Sequence, residues 1–160
     1  MKGDKKVIEH LNTALRNELT AVNQFFLHSR MLEDWGVNKM AAHEYKESIE
    51  EMQHADLIIK RILMLGGLPN LQDLDRLHIG EDVKEIIECD LKIEIKAMED
   101  LRNAIKDAEA VHDYVTRDLF IKILTDEEDH ADYLETQLHQ IEIQGIENYI
   151  QMQSGPEDEE

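Results

Sequence analysis

The chain carries one arrangement of acidic and imidazole residues twice, 76 positions apart. Each copy contains an isolated Glu, a second Glu 33 residues further on, and a His three residues after that. The six residues are Glu18, Glu51 and His54 in the first copy and Glu94, Glu127 and His130 in the second. Four carboxylates and two imidazoles are a complete set of protein ligands for two divalent metal ions.

Apolar residues recur at three- and four-residue steps over four long segments, which predicts four helices. With 160 residues, two prolines and seven glycines, the chain has the length of one domain and a composition typical of helical proteins. The predicted helices cover about 4–34, 39–65, 82–111 and 113–144, with Asn38 as the N-cap of the second. A short fifth helix is predicted over about 146–152, which completes a single domain at 1–153 before an acidic, mobile tail at 154–160.

The segment from Gly66 to Gly80 has turn residues and weak periodicity, and it is predicted to be a long connection. Fifteen extended residues span about 50 Å, whereas a helix of about 28 residues is only about 42 Å long. The connection is therefore long enough to run from one end of a bundle to the other. Apolar positions also repeat at the 76-residue offset, for example Leu15 with Leu91. These features predict an all-α, ferritin-like four-helix bundle with a long crossover between helices 2 and 3.

The six repeated residues fall near the middle of the predicted helices, on their apolar faces. An unpaired buried carboxylate costs several kcal/mol, and no Lys or Arg recurs on these faces to balance four of them. Two divalent cations supply the missing charge, so the sequence predicts a dinuclear metal site. Ligands of this kind suit iron, manganese or zinc.

Two carboxylates of the set, Glu51 and Glu127, are predicted to bridge the metals. The remaining ligands complete the two sides in pairs, Glu18 with His54 and Glu94 with His130. A third Glu-x-x-His, formed by Glu109 and His112, lies at a helix end and has no counterpart at the 76-residue offset. We therefore exclude it from the predicted site.

A second apolar stripe lies on the first two helices, turned away from the predicted metal ligands. It consists of Leu19, Asn23 and Phe26 on the first helix and Tyr45, Ile49, Met52 and Ile59 on the second. Such a stripe is either a widened core face or a subunit interface. By this pattern alone, Met52 is interpreted as an adaptable interface residue.

Charge and composition limit the classes of partner. The formal net charge of −19 argues against nucleic acid, whose phosphates require a basic surface. No stretch approaches the roughly 20 apolar residues of a membrane span. The segment MKGDKKVIEHLN lacks the apolar core of a secretory signal, and the single cysteine, Cys89, suits a reducing compartment. The chain is therefore predicted to be cytoplasmic, without a nucleic-acid or membrane partner.

The chain resembles the bacterioferritins over nearly its whole length, through LNTALRNELTAVNQF, SIEEMQHAD, LGGLPNLQ, ECDLKIE and LTDEEDHADYLETQL. The resemblance implies a ferroxidase that oxidises Fe²⁺ with O₂ or H₂O₂ at two iron ions per subunit. It also implies a shell of 24 subunits, built from two-fold dimers, that stores ferric mineral. A haem b shared between two subunits is implied, with Met52 of each as axial ligand. Its implied pocket is Leu19, Asn23, Phe26, Tyr45 and Ile49, and the implied electron donor is a small iron–sulfur ferredoxin.

Four positions depart from residues that members of this family carry. Phe25 stands where many have an electron-donating Tyr, and Tyr133 stands where some have Trp. Lys46 and Glu50 stand where some have the His and Asp of an inner-surface iron site. Two other functions stay open: a haem-binding electron-transfer assembly with a structural carboxylate site, and a di-metal oxidase or peroxidase without bulk storage.

Overall fold

The computed structural model describes residues 1–156, and five helices account for most of this part of the chain. They are α1 (Lys5–Asp34), α2 (Asn38–Met64), α3 (Val83–Ala110), α4 (Tyr114–Gln144) and α5 (Ile146–Gln153). The predicted all-α class and the five predicted helices are confirmed. None of these helices is long and apolar enough to cross a bilayer. Of the predicted tail, residues 157–160 lie outside the described residues.

Side-chain caps start three of the long helices. Asp4, Asp82 and Asp113 precede α1, α3 and α4, and each carboxylate accepts a hydrogen bond from a backbone N–H in the first turn. The prediction that Asn38 caps α2 is wrong: Asn38 is its first residue, and Val37 stands at the cap without a side-chain hydrogen bond. Val37 is buried in an apolar cluster, so packing in place of capping fixes the start of α2.

The four long helices form two antiparallel hairpins, α1 with α2 and α3 with α4. His10 and His28 of α1 contact Asp107 and Asp90 of α3 in reverse order, which makes these two helices antiparallel. α2 and α4 are antiparallel by the same criterion. α2 and α3 therefore point the same way, and the chain between them returns along the full length of the bundle, as predicted.

The crossover between α2 and α3 lies along α1, held by side chains at four-residue steps. These side chains belong to Asn12, Arg16, Thr20, Gln24 and His28. Four of them accept a hydrogen bond from a crossover N–H, and Arg16 contacts the Asp73 carboxylate. An irregular segment needs such partners because no helix or sheet satisfies its backbone. One face of α1 is thus devoted to the crossover.

A polar layer divides the apolar core into two clusters. One cluster includes Leu11, Leu15, Ile58, Leu101 and Phe120. The other, at the opposite end of the bundle, includes Leu32, Met40, Ile86, Leu134 and Tyr149. On each long helix, the repeated Glu and His residues lie between the positions that enter the two clusters. The fold therefore brings the repeated residues together at mid-bundle.

Candidate metal centre

The six repeated residues are buried and converge at the centre of the bundle, where none is more than 6% exposed. Their potential ligand atoms form two groups of four, and within each group all atoms lie within 4.8 Å of one another. The groups are Glu18, Glu51, His54 and Glu127, and Glu51, Glu94, Glu127 and His130. Glu51 and Glu127 belong to both groups. Their role as bridging ligands stays a prediction.

One imidazole lies on each side of the cluster. His54 Nδ1 is 3.1 Å from Glu127 Oε1 and 3.6 Å from Glu18 Oε2. The imidazole of the second motif has the corresponding position, with its Nδ1 3.0 Å from Glu51 Oε1 and 3.7 Å from Glu94 Oε1. Both rings therefore direct Nδ1 into the cluster.

The atoms that face the interior of the cluster have no hydrogen-bond partner among the described residues. They are Glu18 Oε2, Glu51 Oε1, His54 Nδ1, Glu94 Oε1 and Oε2, Glu127 Oε1 and His130 Nδ1. Buried polar atoms without partners are rare and costly in folded proteins. Carboxylate oxygens and imidazole nitrogens that converge in this way fit two divalent cations, which would satisfy all of them at once.

The carboxyl groups differ in their affinity for protons. Burial raises the pKa of Glu18 and Glu94 well above the ordinary value, and neighbouring carboxylates add to this effect. Burial, followed by the charge of Glu51, raises the pKa of Glu127 to about 7. Burial opposes ionisation of Glu51 as well, but its interactions with Glu18 and with both imidazoles hold its pKa below the ordinary value. The metal-free centre therefore retains protons near neutral pH, and any cations that bind there would displace them.

The outward nitrogen of each imidazole contacts a carboxylate from the opposite motif. His54 Nε2 is 2.8 Å from Asp126 Oδ2, and His130 Nε2 is 2.5 Å from Glu50 Oε2. Glu47 also contacts His130 Nε2. Sequence analysis did not assign these acids to the site, although Glu50 and Asp126 are themselves 76 residues apart. The offset that identified the six ligands therefore also relates this outer pair.

A second buried polar group lies beside the metal centre. His28 Nδ1 is 2.8 Å from Asp90 Oδ1, and His28 Nε2 accepts a hydrogen bond from Gly80 N–H at 3.0 Å. The ring proton of neutral His28 is therefore on Nδ1, which donates to Asp90. Burial, followed by the charge of Asp90, raises the pKa of the adjacent Glu44 carboxyl. A cavity of about 10 Å³ separates this group from Glu94 and the second imidazole.

The chain is similar to known proteins over nearly its whole length. A family model described as a ferritin-like domain matches residues 8–143. The bacterioferritin of Brucella melitensis is 49% identical over 99% of both chains, and that of Rhodobacter capsulatus is 50% identical over 99% of this chain and 98% of its own. That of Streptomyces coelicolor is 45% identical over 94% of this chain and 90% of its own. This chain belongs to the bacterioferritin family. The predicted family is thus confirmed, and the segment matched by the family model contains the whole six-residue centre.

In this bacterioferritin chain, the residues of the predicted haem pocket lie on α1 and α2. The set is Leu19, Asn23, Phe26, Tyr45, Ile49 and Met52. Met52 is 52% exposed, Phe26 46% and Tyr45 40%. The rings of Phe26 and Tyr45 are 6.3 Å apart, and the Arg30 guanidinium lies about 5 Å above both. The Met52 thioether is therefore accessible on an apolar surface, whereas Glu51, the next residue on the same helix, is buried.

Three of the four positions singled out by the resemblance have specific surroundings. Phe25 is buried and lines the small cavity beside the centre. Tyr133 stacks on His43, with ring centroids 3.7 Å apart, and His43 Nε2 contacts Glu47 Oε1 at 2.9 Å. Glu50 is engaged with an imidazole of the centre. Its carboxylate is thus in contact with the candidate centre in this chain.

Proposed function

We propose that this chain is the subunit of an iron-storage shell that oxidises Fe²⁺ at the six-residue centre. The observation that supports the proposal is that Glu51 and Glu127 belong to both four-ligand groups. Two ions held by shared carboxylates lie close enough to give up electrons in one event. Membership of the bacterioferritin family favours iron over the manganese and zinc that the ligands also suit.

The reaction we propose takes one electron from each of two Fe²⁺ ions. O₂ accepts the two electrons with two protons to give H₂O₂, and H₂O₂ accepts two electrons and two protons to give two waters. The protein holds both ions away from bulk water, and ion binding displaces protons from Glu18, Glu94 and Glu127. The Fe³⁺ product then passes to a mineral inside the shell, for which we propose 24 subunits arranged as two-fold dimers in the cytoplasm.

We also propose a haem b between two subunits, with Met52 of each as axial ligand. The exposed thioether on an apolar face fits this role, because an isologous interface brings the same residue from both subunits to one axis. Haem would supply a one-electron carrier for reducing stored iron. A small iron–sulfur ferredoxin is the proposed electron donor.

The ferroxidase proposal is tested by aerobic Fe²⁺ oxidation, followed by size-exclusion chromatography with iron analysis. Glu51→Ala with Glu127→Ala should lose the fast oxidation phase, because both metal positions lose two ligands. The matched control is Glu109→Ala with His112→Ala, which removes the excluded Glu-x-x-His and should oxidise iron at the wild-type rate. Equal rates for wild type and the Glu51/Glu127 variant would show that the site is wrong.

The same experiment separates the alternative functions. A storage shell retains far more than two iron ions per subunit after oxidation. A di-metal oxidase or peroxidase turns over but retains only its resident pair. A haem-binding assembly with a structural carboxylate site shows no oxidation above background.

The haem proposal is tested by Met52→Leu, which should abolish or shift the Soret band of the haem-loaded protein. Met64→Leu is the matched control, because Met64 is another exposed methionine on α2. Its spectrum should equal that of wild type. An unchanged Soret band in Met52→Leu would remove Met52 as the ligand.

A further inference from the structure

The imidazole of the first motif is supported by a single acid. His54 Nε2 lies 2.8 Å from Asp126 Oδ2. The Lys122 ammonium group, one turn earlier on α4, lies 3.2 Å from the same oxygen. Asp126 is only partly exposed, so this carboxylate is held between a cation and the ring.

The imidazole of the second motif has two acids behind it. His130 Nε2 contacts Glu50 Oε2 at 2.5 Å and also contacts Glu47 Oε2. The Glu50 side chain is 49% exposed, whereas Glu47 is largely buried and also contacts His43. If either acid is removed, the other still faces the ring. The two halves of the centre therefore differ in how their imidazoles are supported.

We propose that Asp126 is the positioning residue of His54, and that Glu47 and Glu50 share this role for His130. The inference rests on the proposed dinuclear function. An imidazole that binds metal through Nδ1 keeps its proton on Nε2, and an acceptor there fixes both the tautomer and the orientation of the ring. Loss of such a partner reduces metal affinity by roughly 10- to 100-fold. One metal position thus depends on a single outer acid, and the other does not.

Anaerobic titration with Co²⁺ tests this inference, because the visible absorption of Co²⁺ reports its coordination and needs no oxidation. Wild type should bind two Co²⁺ per subunit. In Asp126→Ala, the Co²⁺ affinity of one of the two sites should fall by roughly 10- to 100-fold, while that of the other site is unchanged. Glu50→Ala removes the acid that the repeat relates to Asp126. In this variant both Co²⁺ affinities should stay within about threefold of those of wild type. The double variant Glu47→Ala with Glu50→Ala should lower the Co²⁺ affinity of one site.

A conservative variant separates positioning from general damage to the bundle. Asp126→Asn keeps a side-chain oxygen that can accept from Nε2–H, and it should recover most of the affinity that Asp126→Ala loses. Wild-type affinity at both steps in Asp126→Ala would overturn the inference, and so would an equal loss in Glu50→Ala. If wild type binds fewer than two Co²⁺ per subunit, the proposed function itself fails and this inference fails with it.

Discussion

At the scale of single residues, carboxyl groups of identical chemistry behave differently within a few ångströms. The nearby imidazoles favour the ionised form of Glu51, whereas burial and the charge of Glu51 favour a proton on Glu127. The buried acids are therefore not four equivalent negative charges before metal arrives. They form a set in which protons occupy part of the space that the proposed cations would take.

The metal-free protein should lose stability as the pH rises from about 5 to 7. The Glu127 carboxyl has a folded-state pKa of about 7, above its reference value of 4.5, so the folded protein keeps a proton that the unfolded chain releases. The stabilisation is complete below the unfolded pKa and is lost as the pH passes the folded one. This shift corresponds to about 3 kcal/mol. Thermal unfolding of metal-free protein across this range measures the change.

Glu127→Gln should make that profile less steep because it removes one of the three buried carboxyls of the centre that retain protons, while Glu18 and Glu94 remain. The exposed neighbour Glu128 provides the control, and Glu128→Gln should keep the wild-type profile. A Glu127→Gln profile as steep as that of wild type would contradict the assignment of the pH dependence to this carboxyl.

At the scale of elements, periodicity and the internal repeat were sufficient to predict all five helices, the crossover and the six clustered residues. The start of α2 was predicted with the wrong cap, because burial of Val37 is a property of the packed bundle. The group of His28, Glu44 and Asp90 was not predicted at all. The 76-residue offset relates these three residues to Ala104, Phe120 and Ala14, so no repeat marks them. Only the folded arrangement of α1, α2 and α3 brings them together.

The junction of the crossover with α3 should not tolerate a larger residue at Gly80. A Cβ there would lie 2.4 Å from Ile86 N and 2.7 Å from Ile86 Cα, and helix backbone cannot yield as a flexible side chain can. Gly80→Ala must also displace the N–H that donates to His28. We expect a loss of about 2–4 kcal/mol and a fall of roughly 5 °C or more in the unfolding temperature.

Gly155→Ala is the control for that variant, because no atom lies within 4 Å of the added Cβ. Its unfolding temperature should match that of wild type within about 1 °C. Equal melting of Gly80→Ala and wild type would show that the crossover does not approach α3 as closely as described.

At the scale of the whole molecule, large apolar side chains remain on the surface of a strongly acidic chain. Phe26, Tyr45 and Met52 are each at least 40% exposed on adjacent helices. Exposed apolar side chains on two adjacent helices are typical of an interaction site. We therefore expect this face of the bundle to contact a second copy in the proposed assembly.

Phe26→Arg should break the proposed two-fold contact. It removes an aromatic ring from the face and places a second cation beside Arg30, so two copies would bring four cations together. Analytical ultracentrifugation should show a large assembly for wild type and small species for this variant. Thr136→Arg adds the same charge at an exposed position on α4, outside the face formed by α1 and α2, and should leave the assembly intact. A full-sized Phe26→Arg assembly would exclude this face as the contact.

The crossed support of the imidazoles bears on the symmetry of the centre. His54 relies on an acid of α4 and His130 on acids of α2, so neither hairpin alone can support its own histidine. Two identical hairpins related by a rotation axis could also supply each other's histidines with an outer acid. The symmetry would then make the two proposed metal positions equal. The crossover joins unlike hairpins in one chain and removes that restriction. Covalent linkage thus allows one of the proposed ion positions to be tuned while the other is left as it is.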